Sequence, residues 1–171
     1  MVKIISGGQS GVDRAGLVAA QKCNLETGGT MPKGFKTEDG DKPEYSTIYG
    51  MVQNSSTEYE VRTKDNVLKS HVTLVFYCGK KGKGTELTIK TCEKERKPYF
   101  VYDIDVPLEK FPALVAKILD DLRNCVFIKH VPSPVINIAG TRGSKLPPRA
   151  EENLVEILVA VFTAFKTSRT A

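Results

Sequence analysis

Short apolar runs recur along this 171-residue sequence, and three of the four stop at a turn that contains glycine. Each run is followed by a segment with the periodicity of a helix. Such runs are typical of buried strands, and strands that alternate with helices form parallel sheets. The runs cover residues 2–6, 72–77, 98–104 and 135–139. We therefore predict an α/β fold with a parallel sheet and helices on both of its faces.

The segments between the runs have the apolar spacing of helices. We predict helices over about residues 12–23, 57–69, 85–96, 111–122 and 149–165. Thr57 and Glu60 fit a capping box for the second helix, and Thr85 is the predicted N-cap of the third. The last helix is apolar around nearly its whole circumference, which predicts burial on two sides and favours self-association. The length favours a single domain over residues 1–171.

Residues 24–56 differ in composition from the rest of the chain. Glycine and proline recur there without sustained periodicity, at Gly28, Gly29, Pro32, Gly34, Gly40, Pro43 and Gly50. A connection of this length within one domain is either functional or disordered, and its aromatic residues Phe35, Tyr45 and Tyr49 argue against disorder. We therefore predict a long functional loop at about 24–56.

The charge and the cysteine content disfavour several functional classes for this protein. The chain has 25 Lys and Arg against 20 Asp and Glu, a net charge of +5. Its lysines are interspersed with carboxylates and lie in glycine turns, so a nucleic-acid partner is not expected. The four cysteines lie far apart, which disfavours a zinc finger or a dithiol motif. We expect no metal to be ligated directly by the protein.

The sequence also bears on location. The longest apolar stretch, residues 157–162, is far shorter than the ~20 residues needed to cross a bilayer. The apolar run at the N-terminus is too short for a signal peptide. We expect a cytoplasmic protein with no membrane partner.

Three of the predicted strand-to-helix connections combine glycine with polar or basic residues. We call residues 6–14 (SGGQSGVDR) the first glycine loop, residues 80–86 (KKGKGTE) the second and residues 137–144 (NIAGTRGS) the third. Glycine lets backbone N–H groups approach an anion, and the following helix directs its positive end to the same point. Because the carboxyl ends of parallel strands share one edge of a sheet, the three loops together predict a cleft for a phosphate or another oxyanion.

Several side chains near these loops have more than one available role. Asp13 either favours the dipole of its helix or acts as an acid/base group. Glu86 holds a ribose hydroxyl, acts as a general base, or only complements the helix dipole. Cys78 either faces the cleft as a sulfur ligand or packs as a small apolar residue. No catalytic triad or paired carboxylates can be identified from the sequence.

Several of these segments resemble one known family. Residues 3–14 (KIISGGQSGVDR) are similar to the opening signature of the molybdenum carrier protein family. That family belongs to a Rossmann-like nucleotide-binding superfamily that includes the lonely-guy phosphoribohydrolases and the lysine-decarboxylase-like proteins. The Pro-Lys-Gly of residues 32–34, the Glu-Asp-Gly of residues 38–40 and the Gly-x-Gly-Thr of residues 82–85 are also similar to the family. The resemblance covers most of the chain and implies a Rossmann-like fold.

The resemblance further implies a homo-oligomer, a dimer or a tetramer, that carries the molybdenum cofactor or a related phosphorylated ligand, with molybdoenzymes as recipients. The cofactor is a pterin with a terminal phosphate and an oxo-metal dithiolene, so it is anionic at both ends. A glycine-lined, lysine-rich cleft is suited to it. The candidate ligand-binding residues are Gly7, Gly8, Gln9, Ser10, Gly11, Asp13, Arg14, Lys33, Arg62, Asn66, Gly82, Lys83, Gly84, Thr85, Glu86, Gly140 and Arg142.

A nucleotide-binding enzyme or sensor is the alternative function. The phosphoribohydrolase relatives have a catalytic glutamate three residues after the threonine of Gly-Thr, whereas this chain has Thr88 three residues after Thr85. Glu86 is the nearby carboxylate, but it lies on a different face of the predicted helix. This departure favours a carrier over a hydrolase of nucleoside monophosphates, in which Glu86 or Asp13 would be the acid/base residue.

Overall fold

Five parallel strands form the central sheet of the computed structural model, which describes residues 1–170. The elements in chain order are β1 (Lys3–Ser6), α1 (Val12–Lys22), β2 (Glu26–Gly28), β3 (Thr30–Met31), β4 (Lys36–Thr37), β5 (Gly40–Asp41), α2 (Tyr45–Tyr49), β6 (Val52–Gln53), α3 (Tyr59–Lys69), β7 (Val72–Tyr77), α4 (Lys83–Lys94), β8 (Tyr99–Asp103), α5 (Phe111–Asn124), α6 (Val126–Lys129), β9 (Val135–Gly140) and α7 (Ala150–Thr170). The sheet order is β2-β1-β9-β7-β8, and every pair in it is parallel. The predicted parallel sheet is confirmed.

Helices cover both faces of the sheet. The layer on one face contains α1, α5 and α7, and α3 and α4 pack together on the other. Alternate residues of β9 face the first layer, where Ile136 and Ile138 are fully buried in the main apolar core. Asn137 lies between them and bonds Thr73 of β7 through its side chain. The predicted α/β fold with helices on both faces is confirmed.

The last helix, α7, is buried against its own subunit. It packs on α1 and α5, and Leu158, Val161, Phe162 and Phe165 are at most 2% exposed. The predicted burial on two sides is therefore confirmed. Because the apolar residues of α7 are already covered within one chain, this helix supplies no basis for the predicted self-association. No helix within the described residues is long and apolar enough to span a bilayer.

Residues 24–56 hold more regular structure than predicted. β2 extends the main sheet at its edge, and two short strand pairs follow, β3 with β6 and β4 with β5. α2 lies between β5 and β6 in the chain. A second small core supports the segment; it consists of Leu17, Met31, Tyr45, Tyr49 and Met51. Strands of two or three residues have no periodicity of their own, so tertiary pairing is what forms them.

Two helix starts also differ from the prediction. α3 begins at Tyr59, and the hydroxyl of Ser56, not a Thr57–Glu60 capping box, accepts a hydrogen bond from the N–H of Glu58. α4 begins two residues before Thr85, with Gly82 as its N-cap and no side-chain cap. The different start of α4 matters most for the site. No side chain caps this helix, so its first backbone N–H groups have no side-chain acceptor within the described residues.

Candidate ligand-binding cavity

A cavity of about 700 Å³ opens at the carboxyl edge of the sheet. It lies where β9 separates β1 from β7, so that the three glycine loops meet around it. Open parallel sheets bind ligands at such points because the loops on either side diverge there. Ten of the predicted binding residues line this cavity: Gln9, Asp13, Arg62, Gly82, Lys83, Gly84, Thr85, Glu86, Gly140 and Arg142.

The start of α4 forms one wall of the cavity. The first backbone hydrogen bond of the helix runs from the N–H of Glu86 to the carbonyl oxygen of Gly82, at 3.0 Å. The N–H groups before it have no intrahelical acceptor and carry the positive end of the helix dipole. A Cβ atom built on Gly82 or on Gly84 would meet nothing within 4 Å. Glycine therefore leaves open space beside these amides, enough for an anion to approach them.

Cationic side chains dominate the cavity wall. Two carboxylates, Asp13 and Glu86, are outnumbered by six cations: Arg62, Lys80, Lys81, Lys83, Arg142 and Lys145. Same-sign charges that converge on a concave surface strengthen the local potential and attract counter-ions. The excess of positive charge found in the composition is thus concentrated in part at one site.

A largely buried ion pair in the cavity wall joins α1 to α3. The guanidinium of Arg62 lies 3.6 Å from the carboxylate of Asp13, and their side chains are 12% and 5% exposed. Burial raises the pKa of Asp13, although Arg62 and the backbone N–H groups of Gln9 and Gly7 act in the opposite direction. Gly7 packs directly under Arg62, since a Cβ there would lie 1.9 Å from Nη1 of that residue. The first glycine loop therefore supports Arg62 from below.

Two polar atoms in the cavity-lining residues lack a partner among the residues that the structure describes. They are the hydroxyl of Thr141, in the third glycine loop, and Nε of Arg62. Thr141 is only 7% exposed. Buried polar atoms in proteins are almost always hydrogen-bonded, so unpartnered ones at a cavity point to a bound ligand or water.

The first glycine loop does not present its amides to the cavity. The N–H of Gly8 donates to the hydroxyl of Ser6, that of Gln9 donates to Asp13, and that of Ser10 donates to Oε1 of Gln9. A Cβ on Gly11 would lie 2.5 Å from the backbone nitrogen of Gly143 in the third glycine loop. The structure thus places Gly7, Gly8, Ser10 and Gly11 behind the cavity wall, and among the first-loop residues only Gln9 and Asp13 reach its lining.

Three other predicted binding residues also lie outside the cavity. Arg14 pairs with Glu151 of α7, at 2.5 and 2.9 Å, and more weakly with Asp39. Lys33 is exposed on the 24–56 segment. The side-chain amide of Asn66 makes two hydrogen bonds to the backbone of Thr30, at 2.8 and 2.9 Å. The contacts of Arg14 and Asn66 join distant parts of the chain.

Replacing Asn66 by alanine is expected to lower the free energy of unfolding by about 2–3 kcal/mol, because it leaves two buried backbone groups of Thr30 without partners. Denaturant unfolding measures this. Lys69→Ala is the matched control on the same helix, since Lys69 bonds only the side chain of Thr30. An Asn66→Ala protein that keeps its stability but loses anion binding would contradict the structural role.

Several cavity residues are absent from the set predicted from the sequence. Tyr59, Lys80, Lys81, Thr141 and Lys145 line the cavity, as do Thr63 and Thr88. Lys80, Lys81 and Thr141 belong to the glycine loops, so their position next to glycine was an available signal. Tyr59 and Lys145 carry no such local signal, because the packing of α3 and the turn after the third glycine loop bring them to the site.

Cys78 also lines the cavity, as one of its predicted roles requires. Burial, reinforced by Asp105 and Asp103, raises the pKa of its thiol. A raised pKa disfavours the thiolate, which is the form that binds metals. Among the described residues, no group of three or more His, Cys, Asp and Glu side chains is arranged to hold a metal ion.

A parallel α/β sheet with helices on both faces and a basic, ligand-sized cavity at its carboxyl edge is a Rossmann-like architecture. The model of the circularly permutated YpsA SLOG family matches residues 4–162, and the chain belongs to that family. It is also similar to a crystal structure described as a "Putative molybdenum carrier protein" from Syntrophus aciditrophicus SB. The two are 35% identical over 94% of this chain and 93% of that one, with a TM-score of 0.77. No curated protein matches the sequence significantly.

Proposed function

We propose that this protein binds and carries the molybdenum cofactor, an anionic phosphorylated pterin, in the cavity at the carboxyl edge of the sheet. The observation that carries the proposal is the uncapped start of α4, which faces a cavity with six cations and two carboxylates. The name of the S. aciditrophicus neighbour supports the choice of cargo. A recipient molybdoenzyme would then take the cofactor from the cavity.

The residues present fit such a cargo. The amides of Lys83, Gly84 and Thr85 would bind its phosphate, with Lys83 supplying a positive charge. Arg62, Arg142 and the unpartnered hydroxyl of Thr141 are available to the other polar groups of the ligand. The cavity volume of about 700 Å³ is within the usual range for small-molecule sites.

The test is uptake of the cofactor released from a purified molybdoenzyme. We expect saturable binding, protection of the cofactor against oxidation, and weaker binding at high salt, because counter-ions screen the partly exposed cations. Native mass spectrometry of the purified protein should detect a phosphorylated small molecule. A protein that neither takes up nor protects the cofactor would end the carrier proposal.

A nucleotide hydrolase remains the second candidate, and the position of Glu86 favours it. Glu86 lines the cavity in the first turn of α4, beside the proposed phosphate site. Thr88, at the position where the hydrolase relatives carry their glutamate, also lines the cavity, but its hydroxyl donates to the carbonyl of Gly84. Release of free base from nucleoside monophosphates, abolished by Glu86→Gln, would support this function over the carrier.

A further inference from the structure

We infer that Glu38 is a positioning residue for the cavity, one that holds Arg142 and Gln9 in place through an internal anion-binding site. Glu38 lies in the turn between β4 and β5 and does not line the cavity itself. The inference rests on the proposed function, because it assigns Arg142 to the binding of an anionic ligand. It also assigns a role to the Glu-Asp-Gly motif of residues 38–40.

The carboxylate of Glu38 is held by the first and the third glycine loops together. It accepts hydrogen bonds from the hydroxyl of Ser10, from the backbone N–H of Ser144 at 2.8 Å and from the hydroxyl of Ser144 at 2.6 Å. The guanidinium of Arg142 lies 4.0 Å from the same carboxylate. These contacts, more than offsetting partial burial, hold the pKa of Glu38 below its usual value. The first glycine loop therefore binds a carboxylate of the protein itself, that of Glu38, through the hydroxyl of Ser10.

The backbone around Glu38 is bound to the same region. The side-chain carbonyl of Gln9 accepts one hydrogen bond from the N–H of Glu38, at 2.9 Å, and one from the N–H of Ser10, at 3.1 Å. Gln9 lines the cavity, so the β4–β5 hairpin contacts the cavity wall through two residues, Gln9 and Arg142. The neighbouring Asp39 contacts Arg14 instead, which lies outside the cavity.

Arg142 requires such a partner to be held in one place. Its side chain is 46% exposed, whereas that of Glu38 is only 15% exposed. A long exposed cation loses side-chain entropy when it binds a ligand, and a fixed carboxylate reduces that loss by ordering the guanidinium beforehand. Glu38 therefore favours ligand binding even though it is itself negatively charged.

The two effects of Glu38 on an anionic ligand have opposite signs, which makes the inference testable. Coulomb repulsion alone predicts that Glu38→Gln strengthens the binding of an anion. Loss of positioning predicts that it weakens the binding. With inorganic pyrophosphate as the probe, we expect calorimetry to show affinity about 5–10-fold weaker for Glu38→Gln, a typical coupling for residues in one network.

A double-mutant cycle with Arg142→Ala tests whether Glu38 changes pyrophosphate affinity through Arg142. We expect Glu38→Gln to change pyrophosphate affinity by less than about twofold once Arg142 is alanine, because coupled residues are not additive. Asp39→Asn is the matched control in the same turn and is expected to leave the affinity unchanged. If Glu38→Gln does not fold, Ser144→Ala removes one hydrogen bond to Glu38 and should weaken binding in the same non-additive way.

The outcomes separate the two proposals. The positioning role would be overturned if folded Glu38→Gln binds pyrophosphate as tightly as the wild type or more tightly. It would also be overturned if the fold-changes in affinity of Glu38→Gln and Arg142→Ala multiply in the double mutant, as those of independent residues do. Either result would leave the proposed function intact. Absence of saturable pyrophosphate binding in the wild-type protein would overturn the assignment of the cavity as an anion site, and the positioning role with it. Weaker, non-additive binding supports both.

Discussion

A Gly84→Val variant is expected to fold normally and to bind the phosphorylated ligand at least about 100-fold more weakly, a loss of ~2.7 kcal/mol. The open space beside Gly84 at the start of α4 is where the valine side chain would stand, in front of the free amides. Valine is no worse than glycine inside a helix, so the free energy of unfolding should change by only a few tenths of a kcal/mol. Calorimetry with pyrophosphate and thermal unfolding measure the two quantities.

Lys90→Val is the matched control for this variant. It introduces the same side chain on the exposed face of α4, away from the cavity, and should leave binding unchanged. Gly8→Val is not an equivalent test, because Gly8 has φ of +71° and a Cβ there would lie 2.7 Å from Met31. That variant should lose stability. Wild-type affinity in folded Gly84→Val would show that the anion binds elsewhere.

Arg62→Ala is expected to lower the free energy of unfolding by about 3 kcal/mol at neutral pH, because it leaves the buried carboxylate of Asp13 without its charged partner. It should weaken pyrophosphate binding as well, since the lost guanidinium lines the cavity. Denaturant unfolding measures the first effect. Lys64→Ala is the matched control on α3; it breaks a partly exposed ion pair with Glu95 at the end of α4 and should cost at most about 1 kcal/mol.

The pH dependence of the stability lost in Arg62→Ala gives a further check. Burial already raises the pKa of Asp13 above its ordinary value of 3.8, and loss of Arg62 removes a charge that opposes the rise. The folded variant then holds the Asp13 proton more tightly than the unfolded chain does. Its stability relative to the wild type should therefore recover as the pH is lowered from 7 toward the raised pKa. A loss of stability that stays the same as the pH is lowered from 7 to the ordinary Asp pKa of 3.8 would contradict an Asp13 carboxylate left without its charged partner.

Local patterns explain why the main elements could be predicted from the sequence. The runs at residues 72–77 and 135–139 are apolar except for Thr73 and Asn137 because their strands are buried on both faces of the sheet. A glycine at the end of such a run marks a turn that only glycine fits; a Cβ on Gly140 would lie 1.8 Å from the carbonyl oxygen of Phe76. The apolar run is a property of neighbouring residues, so a sequence pattern contains it; the glycine is visible in the sequence, but the contact with Phe76 that requires it joins two strands 64 residues apart.

Local sequence does not distinguish the first glycine loop from the second as an anion site. The first and second glycine loops both have glycine before a helix, and their sequences predict the same anion-binding geometry. In the structure, backbone N–H groups of the first loop donate to other groups of the chain. The hydroxyl of Ser10 donates to the carboxylate of Glu38, which is 28 residues away along the chain. The start of α4 has no such partner. The first-loop amides donate to side chains of the loop itself, and only the contact between the Ser10 hydroxyl and Glu38 depends on the distant 24–56 segment.

The sequence by itself determined the α/β class, the strand-to-helix connections and the three glycine loops, because strand and helix periodicity and the need for glycine in tight turns are local properties. Only the tertiary structure decided that β9 lies between β1 and β7, that Arg14 and Asn66 serve the fold, and that six cations converge on one cavity. The physical reason is that hydrogen bonds and ion pairs form between whichever groups the packed chain brings together. Their sequence separation, 137 residues for Arg14 and Glu151, leaves no trace in a local pattern.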